Sequence, residues 1–534
     1  MTRHPGLTPD LLVAGGTVVD GSGSPPVRAD VAVEGGRIVG VGAFPEARPK
    51  RTLDATGLLV APGFIDIHSH SDFTLAVDPR AVSSIAQGVT TEVVGNCGHG
   101  CAPIGNAELA KSNIYGYRDE LGLHWDTMDG YLSFLEERAP AVNVATLVPN
   151  GNLRLSAAGM SDRAADAAEL AQMKRLLEES LEAGAFGYST GLEYGLERGC
   201  SEQEVTALCH VCHSANGLYA THTRNLPDQA REAIAEPIRS AAAADVPLQI
   251  SHISVVARLA DDGGWAVAQA LEQARRSGID VTFDMHTELF GTTNLSAALP
   301  PRLLSGTRNE LAAELSSARA ELAAYPSIIR AVARDQWDRV LITECTTHPE
   351  WNGESVAAIA ASRGVPPFDA VLDLLLEEID DIHRVMIIAN TYREEDLRQA
   401  FEHPDCMIGS DATALAPDGT LRDSTFHGAY TWAAWFYRHF VRERRALTPQ
   451  AAVRRLTSLP AGRMGITDRG TIETGNWADL AVFDPGSFGE CGTVSAPNRV
   501  AAGMVHVVVN GVVSMEAGGL SADRGGEVLR REER

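Results

Sequence analysis

The 534-residue chain has no apolar run near the ~20 residues that a membrane-spanning helix needs, so no transmembrane segment is expected. Its start, Met1-Thr2-Arg3-His4-Pro5, lacks the apolar core of a secretory signal, which makes the cytoplasm the expected compartment. Positive charge is scarce: 45 Lys and Arg stand against 70 Asp and Glu, a net charge of -25. That argues against nucleic acid and anionic membranes as partners, although one local arginine suffices to bind an anionic small molecule. Eight cysteines spread over the whole length form no disulfide framework. The one cluster, Cys209-His210-Val211-Cys212-His213, matches the C-x-x-C-H pattern of covalent haem attachment. It lies in 201–215, which reads as a helix, and neither an export signal nor a second C-x-x-C accompanies it. Haem and structural zinc are both poor readings of it.

What the chain does have is an ordinary globular composition, 44% hydrophobic and 22% charged, at a length that suggests two or three domains. Residues 9–60 alternate apolar and polar positions with frequent glycines, the pattern of short antiparallel strands and tight turns. The texture returns at 478–483 and 505–512, so the two ends are expected to build one small β-sandwich domain, from 1–61 and 468–534. The last stretch, 522–534, is polar and reads as a loose tail.

Between the ends, short apolar segments at 64–70, 90–95, 142–149, 184–189, 218–222, 248–252, 280–284 and 406–411 alternate with amphipathic stretches such as 163–182, 227–243 and 265–277. Eight strands alternating with helices predict an α/β fold, a (β/α)8 TIM-like barrel; a doubly wound sheet gives the same local pattern. The 127 positions from Asp284 to Asp411 far exceed one strand–helix unit. Alanine-rich helical runs at 305–334 and 356–379 lie there. The barrel is therefore expected to run from 62–286 and to resume over 343–467, with 287–342 an inserted element and candidate lid.

The polar residues fall at the strand ends, where a barrel enzyme carries its site. His68 and His70 are two apart on a strand and share a face. Cys97 follows the second segment, His222 ends the fifth, His252 ends the sixth and Asp411 ends the eighth. Four imidazoles, a thiol and a carboxylate at one mouth suit a borderline-soft ion, and zinc in particular. A Cys/His/His set leaves a fourth position for water, whose pKa zinc lowers toward ~7. Asp411 is the carboxylate expected to take that water's proton and return it to a leaving group.

Pro62-Gly63-Phe64-Ile65-Asp66-Ile67-His68-Ser69-His70 resembles the first-strand signature of the amidohydrolase superfamily. With Gly88–Gly98, Ser189-Thr190-Gly191-Leu192-Glu193-Tyr194, Thr221-His222-Thr223-Arg224-Asn225 and Gln249-Ile250-Ser251-His252, nearly the whole chain resembles the D-aminoacylases, or N-acyl-D-amino-acid deacylases. The resemblance implies Cys97, His222 and His252 as ligands of a tightly bound zinc, His68 and His70 as a second, weaker metal position, and Asp411 as the catalytic aspartate. Cys97 would stand in for the carboxylated lysine of many relatives. Tyr194 would lie near the substrate and help polarise the amide carbonyl.

The substrate-binding residues depart from that family. Ile253 and Ser254 follow His252 where a histidine and a lysine are usual. Asp284-Met285-His286-Thr287-Glu288 replaces a tyrosine–proline–tyrosine run, which makes His286 a candidate substrate contact. Ser424–Tyr430 replaces a histidine–proline–arginine element whose arginine clamps the substrate carboxylate. Arg224 and Arg422 are the candidates for the missing cation. The expected activity is zinc-dependent removal of the acyl group from N-acyl-D-amino acids. The rivals are another C–N hydrolase acting on a cyclic amide, a dipeptide or an amide-linked toxin, an inactive scaffold, and a redox or haem protein built on 209–213.

Overall fold

The computed structural model describes residues 7–118, 122–224, 230–253, 263–304, 306–333, 335–390 and 392–531. Asn225, Ser254, Ser305 and Arg334, together with the start of the 227–243 stretch and residues 532–534 of the tail, lie outside them. The fold is α/β. Six parallel strands follow the order Cys406–Ile408, Val281–Met285, Leu248–Ile250, Leu218–His222, Gly187–Gly191, Val148–Pro149; three more follow Phe64–Asp66, Val89–Val94, Asn143–Thr146. The two sheets meet at both ends. Asn143–Thr146 runs on into Val148–Pro149, and the Phe186 N–H donates to the Thr146 carbonyl. On the other side Ser69 and Ala412 form a parallel bridge, and the Asp411 N–H donates to the His68 carbonyl at 2.9 Å. All strands therefore point their C-terminal ends the same way, which is what gathers residues distant in sequence.

A nine-stranded sheet uses both ends of the chain, with Leu59–Pro62 pairing antiparallel to Leu480–Phe483. Val13, Val31, Leu53, Val60, Leu480, Val482 and Val508 fill its core. Its strands form one continuous hydrogen-bonded order.

The inserted element differs from expectation in extent. Phe290–Asn294, Met386–Asn390 and Val340–Glu344 form a separate antiparallel sheet with its own core, which includes Leu315, Ile342, Leu372 and Ile387. The expected boundary at 342 thus cuts a strand of the insert, and the parallel strands resume only at Cys406. An apolar run such as 340–344 carries no mark of whether its partner is parallel or antiparallel. The run at 356–379 is two helices, Val356–Arg363 and Pro367–Glu377, separated by Gly364 in the left-handed region (φ 69°) and two prolines.

The C-terminal stretch is not loose over its described part. The Val144 N–H donates to the Glu527 carbonyl and the Leu529 N–H to the Val144 carbonyl. Leu529 packs on the cluster of Ile67, Val93, Phe186 and Met407 beneath the parallel strands, and Arg530 pairs with Asp129 and Glu136. A short polar segment can dock as an added extended strand without any long apolar signature.

Candidate active site

Tight backbone turns bring the six expected residues together. Cys97 (φ 54°), His252 (φ 28°) and Asp411 (φ 49°) all occupy the left-handed region, which costs non-glycine residues energy and recurs at functional sites. Gly98 (φ 71°) allows the turn after Cys97, since a Cβ there would collide with the Glu197 carboxylate.

The ligand atoms form two groups that share the Cys97 thiol. His68, His70, Cys97 and Asp411 make one, and Cys97, His222 and His252 the other, with all atoms in a group within 4.8 Å of one another. His68 Nε2 lies 3.1 Å and His252 Nε2 3.3 Å from the Cys97 sulfur. His70 Nε2 is 3.2 Å from the Asp411 carboxylate, and His68 Nε2 is 3.4 Å from it. The His68 and His70 side chains are 1% and 2% exposed, against 22% for Asp411, so the carboxylate is the most open member of its group.

Burial raises the Cys97 thiol, but His68 and His252 outweigh it and hold the thiol well below its usual range. Burial likewise raises Asp411, and His252 and the hydrogen bond from His70 pull it well below the usual carboxylate range. A thiolate and a carboxylate ringed by imidazoles, with Nδ1 of His70, His222 and His252 buried and unpartnered, is a donor set that a metal cation satisfies. The residues present fit zinc, and Cys97 belongs to both groups.

Several contributors had no separable sequence signal. Asp284 accepts from the His252 N–H at 2.6 Å and from Gln249 Nε2 at 2.7 Å, and lies 3.2 Å from His68 Nδ1. It therefore orients the His68 imidazole and anchors the His252 backbone. Glu193 lies 2.9 Å from His222 Nε2. The Tyr115 ring stacks on His70 with centroids 4.6 Å apart, and its hydroxyl is 3.3 Å from that of Tyr194. His99 packs edge-on against both tyrosines, and burial with the nearby His70 lowers it to about 3.

The expected substrate residues divide. Tyr194 sits against His222 (4.8 Å between centroids), and burial keeps its hydroxyl protonated, hence a donor. His286 is buried 6.2 Å from the His252 ring, and burial lowers it to about 4, so it is neutral. Arg224 is already committed, donating to both Glu236 oxygens and to the Arg198 and Cys200 carbonyls. Arg422 stands on the surface, its side chain 61% exposed and 3.9 Å from Asp423. The 209–213 motif is dispersed: Cys209 and Cys212 face the core of helix Glu202–Ser214, while His210 and His213 face out.

The model of the Amidohydrolase family matches residues 51–515. An N-acyl-D-glutamate deacylase of Alcaligenes xylosoxydans xylosoxydans is 34% identical over 528 residues, 98% of this chain and 97% of that protein. The crystal structure of an N-acyl-D-glutamate deacylase from Bordetella bronchiseptica, complexed with zinc and a phosphonate mimic of the tetrahedral intermediate, superposes with a TM-score of 0.81 at 30% identity. It covers 98% of this chain and 100% of that one. A D-aminoacylase structure described as having a binuclear metal centre, with one-metal activation and second-metal attenuation, gives 0.80 at 30% identity over 98% and 100%.

Proposed function

We propose, for a chain that belongs to the amidohydrolase family and within it to the D-aminoacylases, that the reaction is zinc-dependent removal of the acyl group from N-acyl-D-amino acids. The chain is a metal-dependent hydrolase of amide C–N bonds. The single observation that carries the finer reading is the Cys97 thiol shared between two donor groups, with Asp411 as the open carboxylate beside them.

Cys97, His222 and His252 would hold the tight zinc, and His68 with His70 a weaker second ion. When bound, zinc supplies Lewis acidity and a water acidic enough to attack an amide near neutral pH. The Asp411 carboxylate would take a proton from the attacking water and return it to the departing nitrogen. Tyr194 would donate a hydrogen bond toward the scissile carbonyl, Asp284 and Glu193 keep the His68 and His222 imidazoles aimed, and Asp284 also holds the His252 backbone. The products are a carboxylic acid and a D-amino acid.

The architecture we attach to this reaction is a (β/α)8 barrel with a β domain from both termini and an insert over 290–390. A cytoplasmic setting is supported by eight unpaired cysteines, seven of them buried. Among the described residues no helix is long and apolar enough to cross a membrane. The partner is a small-molecule amide. A cyclic amide or dipeptide is the second reading, favoured by neutral His286 at a position facing the metal residues. A hydrolysis panel of N-acetyl-D- and L-amino acids beside cyclic amides and dipeptides tests both. Turnover confined to the cyclic amides would replace the first reading with the second.

A further inference from the structure

We propose that Arg198 is the specificity residue that receives the substrate's carboxylate, in a cavity between the metal residues and the insert. The inference rests on the deacylase reading and names the cation that reading requires. The cavity is lined by His99, Tyr115 and Tyr194, whose rings pack on one another and on His70 and His222, by Glu193, and by Ser296 and Tyr325 of the insert. Arg198 is the one Lys or Arg among the described residues that line it.

The arginines around this loop differ in what their guanidinium groups touch. Arg154 is fully buried and donates to the Leu196 carbonyl and to Glu204. Arg224 holds the Arg198 and Cys200 carbonyls and Glu236. Glu197 accepts from the Gly191 N–H at 2.9 Å and from Asn150 at 2.8 Å. The backbone of 191–200 is thus fixed from three sides. The Arg198 guanidinium, by contrast, makes one hydrogen bond, to the Glu193 carbonyl at 3.3 Å, and has no carboxylate partner among the described residues.

In a chain with 70 acidic against 45 basic residues, a partly buried guanidinium without an acid partner, on a fixed loop facing a cavity, is set to receive an anion. Its fork matches a carboxylate, and the fixed backbone removes much of the ordering cost of binding. The same placement accounts for the absent cations at Ser254 and 424–430: the clamp comes from the loop after Gly187–Gly191.

The test compares wild type, Arg198→Met and Arg198→Lys on the best N-acetyl-D-amino acid of the panel and on its carboxamide analogue, with zinc content and melting temperature measured for each. The expected result is a KM for the acid raised about 10- to 100-fold in Arg198→Met, as loss of a charged hydrogen-bonding partner implies, with kcat, zinc content and carboxamide hydrolysis little changed. Arg198→Lys should lie between. Equal losses on acid and carboxamide, or an unchanged KM for the acid, would overturn the assignment while leaving the deacylase reading intact. A wild type that cleaves no acyl amino acid would instead overturn that reading, and this inference with it.

Discussion

Arg224 donates through Nη1 to the backbone carbonyl of Arg198 at 2.5 Å, so an arginine two residues beyond His222 of the candidate site fixes the loop that carries another arginine. Arg224→Gln should leave Glu236 buried without its ion pair and release that loop. The expected cost is about 3 kcal/mol in unfolding free energy, together with a raised KM. Lysine should not restore either, because it cannot span Glu236 and two carbonyls at once. Denaturant unfolding and steady-state kinetics check this; unchanged stability in Arg224→Gln would contradict it.

Asp411→Asn should lower kcat by roughly 10²- to 10⁴-fold, the usual worth of a positioned acid–base group. Zinc content measured by atomic absorption should remain near that of wild type, since Cys97, His222 and His252 are untouched. Cys97→Ser should behave oppositely and lose metal first.

Glu288 is partly buried, and desolvation raises its carboxyl to about 7, with Thr431 opposing the effect and Glu490 adding to it. Its folded pKa lies above the unfolded value, so the protonated form favours folding. Its contribution is full below about pH 4.5 and is lost as pH rises through about 7. Relative to wild type, Glu288→Gln should gain about 2–4 kcal/mol at pH 8 and nothing at pH 4.5. Parallel urea titrations at the two pH values measure it; a gain independent of pH would exclude ionisation as the cause.

Leu529→Asp should lower stability by about 1–3 kcal/mol although it lies five residues from the C-terminus, because Leu529 packs against Phe186 and Met407 beneath the parallel strands. A melting temperature equal to wild type would show that the docking of 525–531 contributes nothing to stability.

The six clustered side chains are legible in the sequence because each stands at the end of a short apolar segment, and His68-x-His70 carries its own geometry in its spacing. Asp284 and Glu193 carry no separable signal, since a lone acid beside a strand end looks the same whether it orients an imidazole or caps a turn. Tyr115 and His99 belong to no periodic pattern, and only the closed run of parallel strands brings them to His70. Arg224 and Arg198 show the same limit: both are loop arginines in sequence, and only the count of hydrogen bonds at each guanidinium separates a positioning role from a receptive one. The extent of the insert is not legible in the sequence, because pairing direction is a property of the sheet and not of the 340–344 segment.

The central claim is tested most directly by stripping the metal with a chelator and titrating the apoprotein with zinc while following hydrolysis of N-acetyl-D- and N-acetyl-L-amino acids. The account predicts negligible turnover in the apoprotein, activity restored by the first equivalent of zinc, and a clear preference for the D series. Full turnover without metal, or zinc-restored activity on the L series alone, would contradict it.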